Sequence, residues 1–163
     1  MIDAQDASIV TILQENARTS NAEIARQVGL APSAVFERIR KLEERGVLRG
    51  FHAQVDPHAI GLPLLAFVFV RSDERAGGIS TAERIAKIPE VLEVHHVAGE
   101  DCFLVKLRAA DTEELGRLLR EKVGAIPAVT STRTTIVLET VKEESGLPLE
   151  RSDEASLPEV RRA

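Results

Sequence analysis

The chain carries long cationic side chains close together in one short stretch: Arg38, Arg40, Lys41 and Arg45. Such side chains bind phosphates, and arginine can also bond the edge of a guanine through two parallel hydrogen bonds. If the stretch is helical, Arg40 and Lys41 point away from its apolar side, whereas Arg38 lies nearer to it. These residues leave two interpretations open, a surface that contacts nucleic acid or the solvated face of an ordinary helix.

Neighbouring side chains on this stretch also have two interpretations each. Glu37 could accept from the amino group of a cytosine, or pair with Lys41 one helical turn further on. Phe36 could touch a thymine methyl group, but we expect it to pack beneath the segment after Gly46, because an exposed Phe is costly. Arg38 is expected to form an ion pair within the domain or to clamp a phosphate. The candidate contacts are Ser33, Ala34, Phe36, Glu37, Arg38, Arg40 and Lys41.

The remaining side chains with reactive chemistry predict no catalytic site. His95 and His96 are neighbours on a predicted strand and point to opposite faces, so they cannot chelate one metal ion together. Cys102 is the single cysteine, which excludes an internal disulfide framework and a cysteine-rich metal site. No nucleophile with its base, metal cage or phosphate loop is recognisable. We therefore expect no catalytic residues, no metal and no cofactor.

The cationic stretch belongs to a pattern of three helices within residues 1–50. Apolar residues recur at helical spacing from Asp3, and Ser20 with Glu23 forms a capping box that opens a second, short helix. Gly29 ends that helix, and Pro32 suits the first position of a longer third helix. This order predicts a helix-turn-helix domain.

A different pattern follows the helices. Residues 47–55 read as an extended strand, and a turn leads into strands and helices that alternate in the order βαββαβ. This order predicts a ferredoxin-like sandwich, so the fold class is α+β with a winged-type helix-turn-helix domain in front. The predicted domains are residues 1–50, a linker over 51–62, residues 63–141 and a flexible charged tail over 142–163.

Charge is unevenly distributed along these segments. The net charge is −5, yet residues 1–50 hold seven Lys and Arg against seven Asp and Glu, so the acidic excess lies elsewhere. Within residues 31–50 there are five basic and three acidic residues, and this local charge is what a polyanion would meet. The longest apolar stretch, residues 62–70, is too short to span a bilayer, and no secretion signal is recognisable. We expect a cytoplasmic protein.

The combined pattern resembles the Lrp/AsnC, or feast/famine, family of transcription regulators. The matching motifs span both units in the right order: Ile2-Asp3-x-x-Asp6-x-x-Ile9, Asn16-Ala17-Arg18-Thr19-Ser20, Ile24-Ala25-x-x-Val28-Gly29-Leu30, Val35-x-x-Arg38-Ile39-x-x-Leu42-x-x-x-Gly46-Val47-Leu48, Pro89-Glu90-Val91 and Gly99-Glu100-Asp101. One departure is Ala31, where the family usually carries a serine that would cap the third helix. The resemblance favours DNA contact for Ser33, Glu37 and Arg40 over a merely solvated face.

The resemblance also implies a ligand and an assembly. In the family, the turn that corresponds to Gly99-Glu100-Asp101 lies between dimers, where amino-acid effectors bind. Turn amides suit a carboxylate and Asp101 suits an ammonium, although a plain hairpin turn would use the same residues. Thr132 and Thr134 could add hydroxyl groups, or simply fill a strand. The expected partners are double-stranded palindromic DNA, a small amino-acid effector and other copies of the chain, in dimers that assemble further to octamers.

Two alternatives remain. Siroheme decarboxylases resemble this two-unit architecture and rely on histidines and basic residues in the regulatory pocket. His95 and His96 lie near the corresponding region. Against that hypothesis, the third helix here retains its basic outer face. The other alternative is a nucleoid-organising DNA-binding protein with weak sequence preference and no effector.

Overall fold

A computed structural model of the chain describes residues 2–75 and 78–149. Contacts within the chain divide it into two compact units, each described by itself below. The first unit contains residues 2–53 together with 143–149, and the second is Gln54–Lys142. None of the described helices is long and apolar enough to cross a membrane.

The first unit contains the three predicted helices: α1 (Ala4–Glu15), α2 (Asn21–Val28) and α3 (Pro32–Glu44). The Ser20 side chain accepts a hydrogen bond from the backbone N–H of Glu23, as the capping pattern predicted. Gly29 ends α2 with a φ of 70°, a conformation that glycine adopts without steric cost. The helix-turn-helix prediction is confirmed.

The apolar sides of these helices form a common core. Val35 and Leu42 are fully buried on α3, and Ile39 is partly buried beside them, as the helical spacing predicted. Ile9 of α1 and Ile24 of α2 are also fully buried, and they pack in one cluster with Val35. Burial of this apolar surface leaves the opposite side of α3 to the solvent.

An arginine on α3 bonds to the N-terminal turn of α1. The Nη1 of Arg38 donates to Asp3 Oδ2 at 2.8 Å and to Asp6 Oδ1 at 2.7 Å, and its Nη2 donates to Gln5 Oε1 at 2.8 Å. The Asp6 side chain is only 10% exposed, and Asp3 also caps α1 through the N–H of Asp6. The hydrogen bond from Arg38 lowers the pKa of Asp3 below its ordinary value. These bonds fix the orientation of α3 relative to α1.

The strand predicted over residues 47–55 is not formed. Residues 47 and 48 lie in a bend, residues 49–55 have no regular secondary structure, and Phe51 and Val55 are largely exposed. An extended segment becomes a strand only by pairing with another strand, and none of the strands in the described chain pairs with this one. The wing that we expected after the helix-turn-helix therefore has no strand at residues 47–55.

The second unit has the predicted βαββαβ order. Its elements are β1 (Leu64–Ser72), α4 (Ser80–Ile85), β2 (Val91–His96), β3 (Phe103–Ala109), α5 (Thr112–Leu118) and β4 (Val129–Ile136). A π-helical turn, Leu119–Val123, extends α5 at its C-terminal end. Asp111 caps the first turn of α5 by accepting a hydrogen bond from the N–H of Glu114. The sheet order is β2-β3-β1-β4 with every neighbouring pair antiparallel, which confirms the ferredoxin-like fold.

The two faces of this sheet differ in burial. One face packs into the core through Val68, Val105 and Leu107, and Ile85 of α4 and Leu118 of α5 belong to the same buried cluster. We call this the helix-covered face. On the other face, which we call the open face, the side chains of β3 are only half-buried. Because strand residues alternate between the faces, each residue's position in the register decides which face it serves.

The described part of the predicted tail contacts the first unit. Residues 142–149 form no helix or strand, but the backbone N–H of Leu147 donates to Gln14 Oε1 at 2.6 Å. The Leu147 carbonyl accepts from Gln14 Nε2 at 3.0 Å. The remainder of the predicted tail, residues 150–163, lies outside the described residues.

We predict that Asp6→Asn destabilises the first unit. The substitution removes the charge that faces Arg38 in a largely buried position, which should lower the free energy of unfolding by about 1–3 kcal/mol. Glu15→Gln is the matched control, because it removes an exposed carboxylate from the same helix. Urea unfolding followed by circular dichroism measures both, since the chain has no Trp or Tyr for fluorescence. Equal midpoints for the two variants would contradict the prediction.

Candidate nucleic-acid interface and ligand turn

The outer side of α3 presents a mostly polar surface to the solvent. Its exposed residues include Ser33, Glu37, Arg40, Lys41 and Glu44, all of which the helical spacing places on the side opposite Val35 and Leu42. The predicted contact Ala34 is half-buried in the first turn of the helix. Polar and cationic side chains on the exposed side of a helix are the kind that bond base edges in a major groove.

Phe36 lies on the same exposed surface and is 54% exposed. The expectation that it packs beneath the segment after Gly46 is therefore wrong. The reason is its position on the helix, which directs it away from the side that buries Val35 and Leu42. An apolar ring that remains in water is available for contact with a partner molecule.

Arg40 is held by two glutamates of its own helix. Its Nη2 donates to Glu37 Oε2 at 2.8 Å and its Nε donates to the same oxygen at 3.2 Å. Its Nη1 also donates to Glu44. The hydrogen bond from Arg40 lowers the pKa of Glu37 below its ordinary value. Glu37 thus pairs with Arg40, rather than with the Lys41 partner considered from the sequence.

Arg38, in contrast, forms its hydrogen bonds with residues outside α3. Its guanidinium is already bonded to Asp3, Gln5 and Asp6 of the first unit, and its side chain is 31% exposed. Of the two roles expected from the sequence, the structure contains the ion pair within the domain. Sequence reasoning missed these partners because nothing local to Arg38 marks residues so distant in the chain.

The first turn of α3 lacks a side-chain cap. Ala31 occupies the cap position and offers no hydrogen-bond acceptor, and Pro32 begins the helix. The N–H groups at a helix start carry partial positive charge and bind anions such as phosphates. Because Ala31 replaces the serine usual in the family, no cap side chain accepts from the N–H groups of this first turn, and an acceptor from another molecule could bind them.

The Gly99-Glu100-Asp101 turn in the second unit is bracketed by two ion pairs. Gly99 has a φ of 135°, which few other residues adopt. Asp101 Oδ2 accepts from Arg133 Nη2 at 2.9 Å, and Glu100 Oε2 accepts from Arg71 Nη2 at 3.2 Å. The guanidinium carbon of Arg133 also lies 4.0 Å from the centre of the Phe69 ring. The turn therefore combines acids with arginines close enough to hold both ends of a zwitterion.

The strand register separates Arg133 from the predicted threonines. Arg133 pairs with Phe69 and lies on the open face, whereas Thr132 and Thr134 pair with residues of the helix-covered face. Residues directly opposite one another share a face, so Arg133 and the two threonines lie on different faces of the sheet. Asp101 bonds to Arg133. Sequence reasoning missed Arg71 and Arg133. The alternation around Arg133 in a threonine-rich strand was the signal that could have found it.

The two histidines lie on opposite faces of the sheet, as strand alternation requires. The Nε2 of His95 lies 3.2 Å from Glu93 Oε2, and the ring of His96 lies 5.3 Å from that of Phe103. The hydrogen bond between His95 and Glu93 lowers the pKa of Glu93. Within residues 2–75 and 78–149, no group of three or more His, Cys, Asp or Glu is arranged to hold a metal ion.

Both units match known protein families. Residues 2–43 match the AsnC-type helix-turn-helix domain, and residues 65–147 match the Lrp/AsnC ligand binding domain. These two matches together cover most of the chain.

Full-length relatives show the same arrangement. The chain is 42% identical over 149 residues to the HTH-type transcriptional regulator FL11 of Pyrococcus horikoshii, which covers 91% of this chain and 97% of the relative. It is 35% identical over 150 residues to the leucine-responsive regulatory protein of Escherichia coli K12, covering 90% of each.

Solved structures agree with these matches. AsnC of E. coli superposes with a TM-score of 0.83 at 27% identity, over 91% of this chain and 99% of that one. A transcriptional regulator of Neisseria meningitidis, solved as a complex with L-Met, gives a TM-score of 0.81 at 29% identity, over 91% and 97% of the two chains. With its helix-turn-helix unit, its antiparallel sheet unit and relatives of this identity over nearly its whole length, the chain belongs to the Lrp/AsnC family of transcriptional regulators.

Proposed function

We propose that the chain is a sequence-specific transcription regulator that reads DNA with the outer side of α3. The observation that carries this proposal is the exposed row of Ser33, Glu37 and Arg40, held outward because Arg38 bonds the helix to α1. A helix that presents polar and cationic side chains on a rigid support suits the major groove.

Each exposed side chain on this surface has a matching acceptor or donor on DNA. Arg40 bonds the edge of a guanine, and Glu37 accepts from a cytosine amino group. Phe36 contacts a thymine methyl group, and Lys41 binds a phosphate. Ser33 and the uncapped first turn, which includes Ala34, bind a second phosphate.

We also propose that the second unit forms a homodimer through the open face of its sheet. The half-buried apolar side chains there are Phe67, Phe69 and Leu104. Lys106, opposite Phe67, pairs with Glu93 and adds charge beside them. A second copy would remove this apolar surface from water. Two copies related by a two-fold axis match a palindromic operator, and further assembly to an octamer is the arrangement that the family resemblance implies.

The proposed effector is an amino acid bound at the Gly99-Glu100-Asp101 turn. Its ammonium pairs with Asp101 in place of Arg133, and its carboxylate meets the turn amides and the released arginine. The L-Met complex of the Neisseria meningitidis regulator supports an amino acid as the ligand class. Thr132 and Thr134 lie on the helix-covered face and contribute only if the pocket reaches across the strand edge.

The relatives named above are regulators, and we propose that this chain performs no catalysis. It acts where the chromosome lies, in the cytoplasm. The internally paired Arg71 and Arg133 favour one second candidate, a DNA-organising protein whose turn binds no effector.

We predict that Arg40→Ala weakens binding to an operator recovered by in vitro selection. The loss should be about 1–3 kcal/mol if the contact is to a guanine edge. Arg117→Ala is the control, because Arg117 is a similarly exposed arginine paired to a glutamate but lies in the second unit. Titration at about 0.15 M salt measures both variants. Unchanged affinity of Arg40→Ala, with an intact circular dichroism spectrum, would exclude this outer surface as the reading surface.

We predict that Phe67→Glu converts the dimer into a monomer. A carboxylate at this position would have to be desolvated in the interface, and Lys106, which lies opposite Phe67, is already paired with Glu93. Ile79→Glu, at an exposed position before α4, is the control and should remain dimeric. Sedimentation velocity distinguishes the species. A dimer that survives Phe67→Glu would assign the interface to another surface.

We predict that Asp101→Ala abolishes the response to an amino-acid effector. Loss of the carboxylate that balances the ammonium should cost about 2–5 kcal/mol of binding free energy. Glu113→Ala, an exposed acid at the start of α5, is the control. Calorimetry against the twenty amino acids identifies the ligand and compares the variants. If wild type binds an amino acid and Asp101→Ala binds it equally well, the pocket lies elsewhere, and if wild type binds none, the effector-free regulator is correct.

A further inference from the structure

The pairing of Arg40 with two acids changes the charge that α3 presents to DNA. Glu37 lies three residues before Arg40 and Glu44 lies four residues after it, so all three side chains lie on the exposed surface. Their side chains are 46–58% exposed, which places the cation and both anions where DNA would contact the helix. The three residues together carry a net charge of −1, whereas Arg40 alone would carry +1.

The helices and turns before residue 51 are likewise not basic overall. Residues 1–50 hold as many acidic as basic residues. Non-specific affinity for DNA arises almost entirely from cations that neutralise phosphates. An arginine that is already paired with two acids, as Arg40 is, contributes little to that affinity.

The two kinds of acceptor on DNA respond differently to this arrangement. A phosphate is an anion, so Glu37 and Glu44 repel it as it approaches Arg40. The edge of a guanine is uncharged and is not repelled in this way. Because a guanidinium has five N–H donors, Arg40 can bond a guanine while it keeps a carboxylate partner.

We propose that Glu44, together with Glu37, determines specificity by keeping Arg40 from binding phosphates on non-specific DNA. The two acids weaken contact with a phosphate more than contact with a guanine, so they increase the ratio of operator affinity to non-specific affinity. This inference rests on the proposal that α3 reads DNA. Glu44 is the residue that isolates the effect, because Glu37 also faces a base in that proposal.

The test is Glu44→Gln in the full-length chain, with Glu43→Gln as the matched control. Glu43 is the adjacent exposed acid on the same helix, and Arg40 bonds to Glu37 and Glu44 but not to it. Both variants remove one negative charge from the same helical turn. Either variant should fold, since an acid at the C-terminal end of a helix is unfavourable to the helix dipole.

The measurement is the dissociation constant for the selected operator and for a random-sequence duplex of equal length, between about 50 and 200 mM salt. Glu44→Gln should bind the random duplex roughly 3–10-fold more tightly than Glu43→Gln does, and the log–log salt slope should steepen by about 0.9, as for one added phosphate contact. Operator affinity should rise less, so the specificity ratio should fall several-fold. Glu43→Gln should leave that ratio unchanged.

Equal effects of Glu44→Gln and Glu43→Gln would overturn the inference, because general charge would then explain them. An unchanged specificity ratio in Glu44→Gln would overturn it as well. If Arg40→Ala still weakens operator binding in that case, the reading role of α3 stands and only the role of Glu44 fails. If Arg40→Ala changes nothing on either duplex, both proposals fail together.

Discussion

The ionic contact between Arg38 and the largely buried carboxylate of Asp6 is the constraint on which the DNA-binding unit depends. A charge removed from water must be paired, and Arg38 pairs it from α3 while also bonding Asp3. The orientation of α3 is thereby fixed at its middle, and the apolar contacts of Val35 and Leu42 fix the same side. The exposed side is therefore a rigid surface, which is what selective contact with base edges requires.

In the second unit, strand alternation has the corresponding role. Each residue of the antiparallel sheet is assigned to one face by its register, and this places Arg133 beside Phe69 on the open face. Asp101 bonds Arg133, so the ligand turn is connected to the face that we propose for dimerisation. A ligand that displaced Arg133 would alter that face directly. Such a contact is a physical route by which an effector changes assembly.

In the mechanism that we propose, the charges on α3 determine the selectivity of DNA binding more than its affinity. A strongly basic unit would bind any DNA tightly, whereas residues 1–50 of this chain hold equal numbers of acidic and basic residues. Arg40, between Glu37 and Glu44, shows the same balance on the scale of one side chain. Net charge alone would have argued against DNA binding, yet a neutral reading surface is compatible with a regulator that must discriminate between sites.

Local signals in the sequence determined the order of the elements, because caps and hydrophobic periodicity act between residues close in the chain. As predicted, α2 begins after Ser20 and ends at Gly29. Tertiary structure alone decided the rest. Residues 47–55 alternate like a strand but form none, since a strand needs a partner from elsewhere in the chain. The pairs Arg38–Asp6 and Arg133–Asp101 likewise join residues far apart in sequence, and only the folded backbone brings them within hydrogen-bond distance.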